Sequence, residues 1–122
     1  MAYEIISNRK NVAFTVWANA NTTLTIAGNA SSSNVALDGE SLSGASIKQV
    51  WFGSQNGGYW VIKRGSNVVA VYESASYQDY AGNGCMLTKD KDATLVLELV
   101  GTANGYIMVD MQKHIPANTT VY

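Results

Sequence analysis

One cysteine, one histidine and one proline stand in 122 residues. A lone thiol forms no internal disulfide and, by itself, no thiolate metal site; a lone imidazole excludes a multi-histidine centre. Charge is scarce too. Only 14% of residues are charged, against roughly 25% in typical domains. Eight basic residues nearly balance nine acidic ones. The chain therefore has no basic excess for a phosphate backbone, and no acidic tail. Long hydrophobic runs are missing. The longest, such as Val68 to Tyr72, have five residues, where a membrane helix needs about 20. Alternating strands would suit a membrane barrel, but Lys48, Lys63, Glu73 and Glu98 interrupt too many of them. At the start, Ile5-Ile6 precedes Arg9 and Lys10, the reverse of the order in a secretion signal. No secretion signal or membrane span is thus expected, and no membrane or nucleic-acid partner. The Asn-x-Ser/Thr matches at Asn21, Asn29 and Asn118 then follow from composition alone.

Neutral polarity fills the gap. Serine, threonine, asparagine and glycine make up about a third of the chain. Such a surface lacks the charge repulsion that keeps copies apart, which points to a homo-oligomer or a large partner. The length suits one domain that hides roughly two-thirds of its unfolded surface and needs no covalent staple.

The apolar period is two almost everywhere, a strand signal. Val12, Phe14 and Val16 alternate with Ala13, Thr15 and Trp17; Leu95, Leu97 and Leu99 with Thr94, Val96 and Glu98; Ile107, Val109 and Met111 with Met108, Asp110 and Gln112. Strands are expected over 2–7, 11–18, 22–27, 34–37, 46–52, 59–64, 67–73, 84–88, 93–100 and 105–112. Asn56-Gly57, Asn83-Gly84 and Asn104-Gly105 suit tight hairpins because both residues tolerate positive φ. With the Arg64–Asn67 turn they predict an antiparallel meander. Residues 74–82 read as a single helical turn or an extended crossing. The predicted fold is all-β, a single-domain antiparallel sandwich or barrel of about 8–10 short strands over 1–112. A C-terminal arm or tail spans 113–122 and contains Pro116.

Little of the sequence points to catalysis. His114 is the only candidate imidazole base and sits past the last alternation. Cys85 lies in an apolar run, where a small buried hydrophobe is the usual outcome. Asp90 and Asp92 resemble a fragment of a calcium loop, but Ala93-Thr94-Leu95 supplies none of the further oxygens, so 88–92 reads as a solvated turn. There is no helix for a phosphate loop to open. Arg9-Lys10 and Lys63-Arg64 are isolated pairs rather than a basic stripe. No cofactor or metal is expected. The aromatic residues are the remaining feature: Trp51 and Trp60 are expected in the core, while Tyr77 and Tyr80, flanking Asp79, reach a surface or bond at a sandwich corner.

One span carries a resemblance: Val50-Trp51-Phe52-Gly53, then Gly58 to Asn67 with its Lys63-Arg64-Gly65 hairpin, then Tyr77-Gln78-Asp79-Tyr80-Ala81-Gly82-Asn83-Gly84. It resembles small β-rich virion structural proteins of tailed bacteriophages, of the marine or cyanobacterial podovirus type. The resemblance covers roughly residues 50–88, with weaker support from Ala2–Ser7 and the last two strands. It implies a non-enzymatic capsid decoration, or cement, protein on the outside of the head shell, made in the host cytoplasm and located in the virion. The implied partners are the major capsid protein and further copies of the chain. Expected contact residues are Tyr77, Tyr80, Ile115, Val121 and Tyr122. The alternative is a carbohydrate-binding or adhesive β-sandwich of a phage tail or head fibre, marked by coplanar aromatics on one exposed face.

Overall fold

The computed structural model describes residues 3–82, 84 and 86–115. Among them there is no helix, and the strands are β1 (Tyr3–Arg9), β2 (Ala13–Ala18), β3 (Thr22–Leu24), β4 (Gly28–Asn29), β5 (Ser41–Leu42), β6 (Gly44–Ser54), β7 (Tyr59–Arg64), β8 (Asn67–Glu73), β9 (Ser76–Asp79), β10 (Leu95–Val100) and β11 (Gly105–His114). A five-stranded front sheet runs β1-β2-β11-β6-β9, a four-stranded back sheet runs β3-β10-β7-β8, and β4 pairs β5 in a small ribbon. The pairings between these strands are antiparallel. Both main sheets end in edge strands, so the expected all-β fold is a sandwich and not a closed barrel.

Alternation explains the layers. Phe14, Val16 and Ala18 of β2, Ile107, Val109 and Met111 of β11, and Ile47, Val50 and Phe52 of β6 line the inner side of the front sheet. Leu24, Trp60, Ile62, Tyr72, Leu95 and Leu97 meet them from the back sheet. Each such large side chain, fully buried, stabilises the fold by about 1.5–3 kcal/mol before conformational entropy is counted. Trp60 also ties the two layers, because its buried indole N–H donates to the Gly53 carbonyl at 3.0 Å. Phe52 stacks on Tyr72 with ring centroids 4.5 Å apart.

The expected meander is corrected. Of the predicted turns whose residues are described, Arg64–Asn67 alone joins neighbours in one sheet, β7 and β8. The Asn56-Gly57 turn carries the chain from β6 in the front sheet to β7 in the back, and Asn104-Gly105 carries it from β10 back to β11. Asn56 and Gly57 do take positive φ, at 57° and 76°, and Gly58 N–H donates to Gln55 O at 3.0 Å. At Asn56-Gly57 the local turn chemistry is as expected, whereas at Asn104-Gly105 neither residue takes positive φ and Gly101 does so instead, at 83°. The strands joined at both links splay because each has an apolar face to close over the other.

Several boundaries also move. Residues 34–37 form no strand: the N–H groups of Val35 and Ala36 are taken by the Ser33 hydroxyl and that of Leu37 by Glu40, leaving nothing for a ladder. In 84–88 the pairing is a single bridge between Leu87 and Ile47; Asn83 and Cys85 lie outside the described residues. Residues 74–82 take the extended alternative and supply β9. The last strand runs to His114, so Lys113 and His114 belong to the sandwich rather than to an arm.

Lys113 follows the inward parity of Ile107, Val109 and Met111 and is buried. Its ammonium donates to both Glu40 carboxylate oxygens at 2.9 Å and to Asn8 Oδ1 at 2.5 Å. Glu40 also accepts the N–H groups of Asn11 and Leu37. Burial by itself raises the Glu40 carboxyl, but those two N–H groups and Lys113 hold it below its ordinary value. Arg64 repeats the pattern in the back sheet. Its guanidinium donates to Ala45 O and Lys91 O, each at 2.7 Å, and to Ala93 O at 3.0 Å. Burial pushes it down to about 10, partly offset by Asp92 and Asp90. The expected solvated turn at 88–92 is thereby pinned from beneath.

Candidate binding face

Side chains left outside the core gather on the outer side of the front sheet. Met108 on β11 pairs with Trp17 on β2 and with Trp51 on β6, and Trp51 pairs with Tyr77 on β9. Four adjacent strands thus present Trp17, Met108, Trp51 and Tyr77 in one row, perpendicular to the strands. The Trp51 and Tyr77 rings lie 5.2 Å apart at 33°, tilted rather than coplanar. Tyr77 is 44% exposed, and Trp17, Met108 and Trp51 are half-buried by their neighbours. Trp51 was expected in the core. Its parity puts it outside: Val50 and Phe52 take the inward positions beside it.

A polar row runs alongside, at the next outward register. Asp110 pairs with Thr15 and with Gln49, and Gln49 pairs with Asp79. Thr15 donates its hydroxyl to Asp110 at 3.3 Å, and Lys48 lies 3.9 Å from the other Asp110 oxygen. The Asp79 carboxylate accepts the Gly82 N–H at 2.6 Å. That bond, with further donation from Tyr77 and Gln49, holds Asp79 below its usual range against some burial. Partial burial and the bond to Asp79 raise the Tyr77 hydroxyl.

On the other side of the aromatic row the Tyr106 ring lies across Gly53, where a Cβ would stand 2.7 Å from the ring. Gly53 is thus required by a close approach and not by a turn. Tyr106 borders an open groove of about 460 Å³, shared with Asn19, Gln55, Ala75 and Asn104.

The expected contact residues do not form one patch. Tyr77 stands on the aromatic row. Tyr80 turns inward and is half-buried; its hydroxyl shares a 2.6 Å hydrogen bond with that of Tyr72, whose own hydroxyl is raised by burial and by this bond. It is the sandwich-corner alternative. Ile115, 42% exposed, follows the far end of β11. Val121 and Tyr122 lie outside the described residues. His114 Nε2 meets Ser46 Oγ at 2.6 Å, but Ser46 is fully buried, so the pair fastens β11 to β6 and gives a substrate no approach. Burial, with Lys91 and Arg64 nearby, lowers the imidazole against a partial pull from Asp92. Among the described residues no group of three or more His, Cys, Asp or Glu side chains could hold a metal ion.

Sequence reading named three of the aromatic residues but missed that they share a row. The signal was available in outward parity, since Trp17, Trp51 and Met108 each alternate with core residues. What was missing was the strand order that sets β2, β11, β6 and β9 side by side. No protein-family model matches the chain, and no curated protein or solved structure matches it either.

Proposed function

We propose that the protein is a non-enzymatic virion structural protein, a decoration subunit that binds the outside of a phage head shell and stabilises it. Its partners are the major capsid protein and neighbouring copies of itself. The observation that carries the reading is the edge of the back sheet. Strand β8 has seven residues and pairs only with β7. Val68 and Val71 on it are 56% and 54% exposed, and no charge occurs before Glu73. Edge strands in proteins that work alone are blunted by lysine, proline or shortness. This one carries a single register shift opposite Ile62 and Lys63 and is otherwise open for contact. A sparsely charged sandwich loses little when water leaves such a surface, and many weak contacts repeated over a shell give avidity.

The test is addition of the purified protein to expanded head shells that lack it. Saturable co-sedimentation and a higher shell disruption temperature are expected. The variant V68E/V71K, altered only at outward positions, should keep the wild-type melting temperature and lose shell binding at least tenfold. Absence of binding by the wild-type protein overturns the reading.

A further inference from the structure

The row of Trp17, Met108, Trp51 and Tyr77 lies on the opposite sheet from β8, and shell binding through β8 leaves it unexplained. We propose that this face is a glycan-binding platform for a neutral, β-linked pyranose chain, running along the row from Trp17 toward Tyr77.

Three features select that ligand. Pyranose rings with equatorial hydroxyls have apolar faces of C–H groups and a polar rim. The row offers ring faces and a soft thioether for the former. Trp51 and Tyr77 are tilted by 33° and not coplanar, so the platform is twisted, not flat, and suits successive sugar units turned relative to one another. The flanking Thr15, Asp110, Gln49 and Asp79 supply donors and acceptors for hydroxyls, which do both. Spacing fits as well: successive positions on neighbouring strands are about 4.8 Å apart, close to the length one sugar unit occupies in an extended β-linked chain. The row therefore accommodates three to four units, and the Tyr106 groove, with Asn19, Gln55 and Asn104 beside it, takes a branch or an acetamido group.

Charge decides against a protein occupant. Cores of protein interfaces are depleted of charged groups, yet two carboxylates run directly beside these aromatics. Covering Asp79 and Asp110 with an apolar surface strips their hydration without return. Sugar hydroxyls leave that hydration replaced by hydrogen bonds. Lys48 stands against Asp110, and Asp79 is held by the Gly82 N–H. Asp79 keeps its charge, and the exposed Glu4, register partner of Trp17, adds another at the end of the row. The face is thus mildly negative, which repels acidic sugars and favours an uncharged chain. The half-buried indoles are already ordered, so binding costs little side-chain entropy.

The experiment is a tryptophan-fluorescence titration of the full chain, checked by calorimetry. The probes are hexaoses of β-1,4-glucose, β-1,3-glucose, β-1,4-mannose and β-1,4-N-acetylglucosamine, with α-linked maltohexaose as control. At least one β-linked hexaose should give a saturable change, and maltohexaose should bind at least tenfold more weakly. W51A is expected to weaken the favoured hexaose at least tenfold. Y77A, at an exposed position where folding is not at risk, should weaken it at least threefold, and V68E/V71K should not change it. Failure of every β-linked hexaose to bind overturns the proposal, as does full affinity in both aromatic variants. Loss of shell binding in Y77A with no glycan binding by the wild type makes the face a protein contact and equally overturns it. Shell binding and glycan binding are read separately, so either idea can fail alone.

Discussion

The two ends of the sandwich are closed in different ways. At one end lie the turn after β1, the long connection from β3 to β6 and the loop from Leu87 to Ala93. Buried side-chain charges hold them: Glu40 joins Asn11, Leu37 and Lys113, and Arg64 gathers the carbonyls of Ala45, Lys91 and Ala93. At the other end the links 55–58 and 101–104 are short and take positive φ at Asn56, Gly57 and Gly101. Neutral hydroxyls do the rest: Ser54 donates to Gly58 O at 2.6 Å, and Thr102 accepts the Asn104 N–H at 3.1 Å. Long irregular loops bring many unpaired N–H and C=O groups, which need partners; a buried ion with several donors or acceptors satisfies them together. Short turns bring few. The first end is thus rigid and sensitive to protonation. The second leaves its side chains, Tyr106 and the amides around it, free for a ligand.

The largest expected effect breaks the first end. Lys113→Ala should cost about 3–5 kcal/mol, because Glu40 is left as an uncompensated buried charge. Urea unfolding of this variant beside the wild type measures it. Glu40→Gln should lose a similar amount, while the double variant E40Q/K113M should recover part of it, since removing both charges of a buried pair is often close to neutral. Sign follows from the carboxyl. Its folded value lies below the unfolded one, so its contribution is complete above the ordinary carboxylate range and is lost as pH falls through the lowered value. Wild-type stability should therefore drop steeply in acid, and the double variant should show a shallower slope. Equal slopes would remove Glu40 from the account.

Arg64 sharpens the contrast between two solutions to the same problem. It has no carboxylate in contact and binds carbonyls only. Arg64→Met keeps the apolar stem and should cost about 2–3 kcal/mol, as hydrogen bonds from a charged group are lost and carbonyls go unpaired. Pushed down only to about 10, the guanidinium stays protonated from pH 5 to 9. Its contribution should be flat across that range in paired denaturation curves. A loss that varied strongly with pH there would mean that Asp90 and Asp92, not the carbonyls, give Arg64 its role.

Strand alternation made the layers legible: the core members of β2, β7, β10 and β11 could be read from period two alone. The same parity already pointed Arg64 inward after Trp60 and Ile62, and Lys113 inward after Val109 and Met111. The expected strand 105–112 stops one residue short of Lys113, and Arg64, though inside the expected strand 59–64, is weighed there only as half of an isolated basic pair. Their partners were invisible, since Glu40 and the Ala93 carbonyl lie far away in sequence and only the fold brings them near. The aromatic row failed to appear for a related reason. Parity is local, whereas the order β2-β11-β6-β9 depends on which turns stay within a sheet, and Asn-Gly looks the same in a hairpin as in a link between sheets.

The smallest expected effect probes the second end. Gly57 has a φ of 76°, and a Cβ there would meet nothing within 4 Å. Gly57→Ala thus introduces no clash, and its cost is conformational, about 1 kcal/mol for placing a side-chain-bearing residue in the left-handed region. The loss should be the same at pH 5 and pH 8, because no titrating group takes part. Binding at the Trp51 row should be unchanged, since the turn sets the path of the backbone between sheets without touching the rings. A cost as large as that of Lys113→Ala, or one that follows pH, would show that the short links also depend on charged side chains and that the two ends are closed by the same physics.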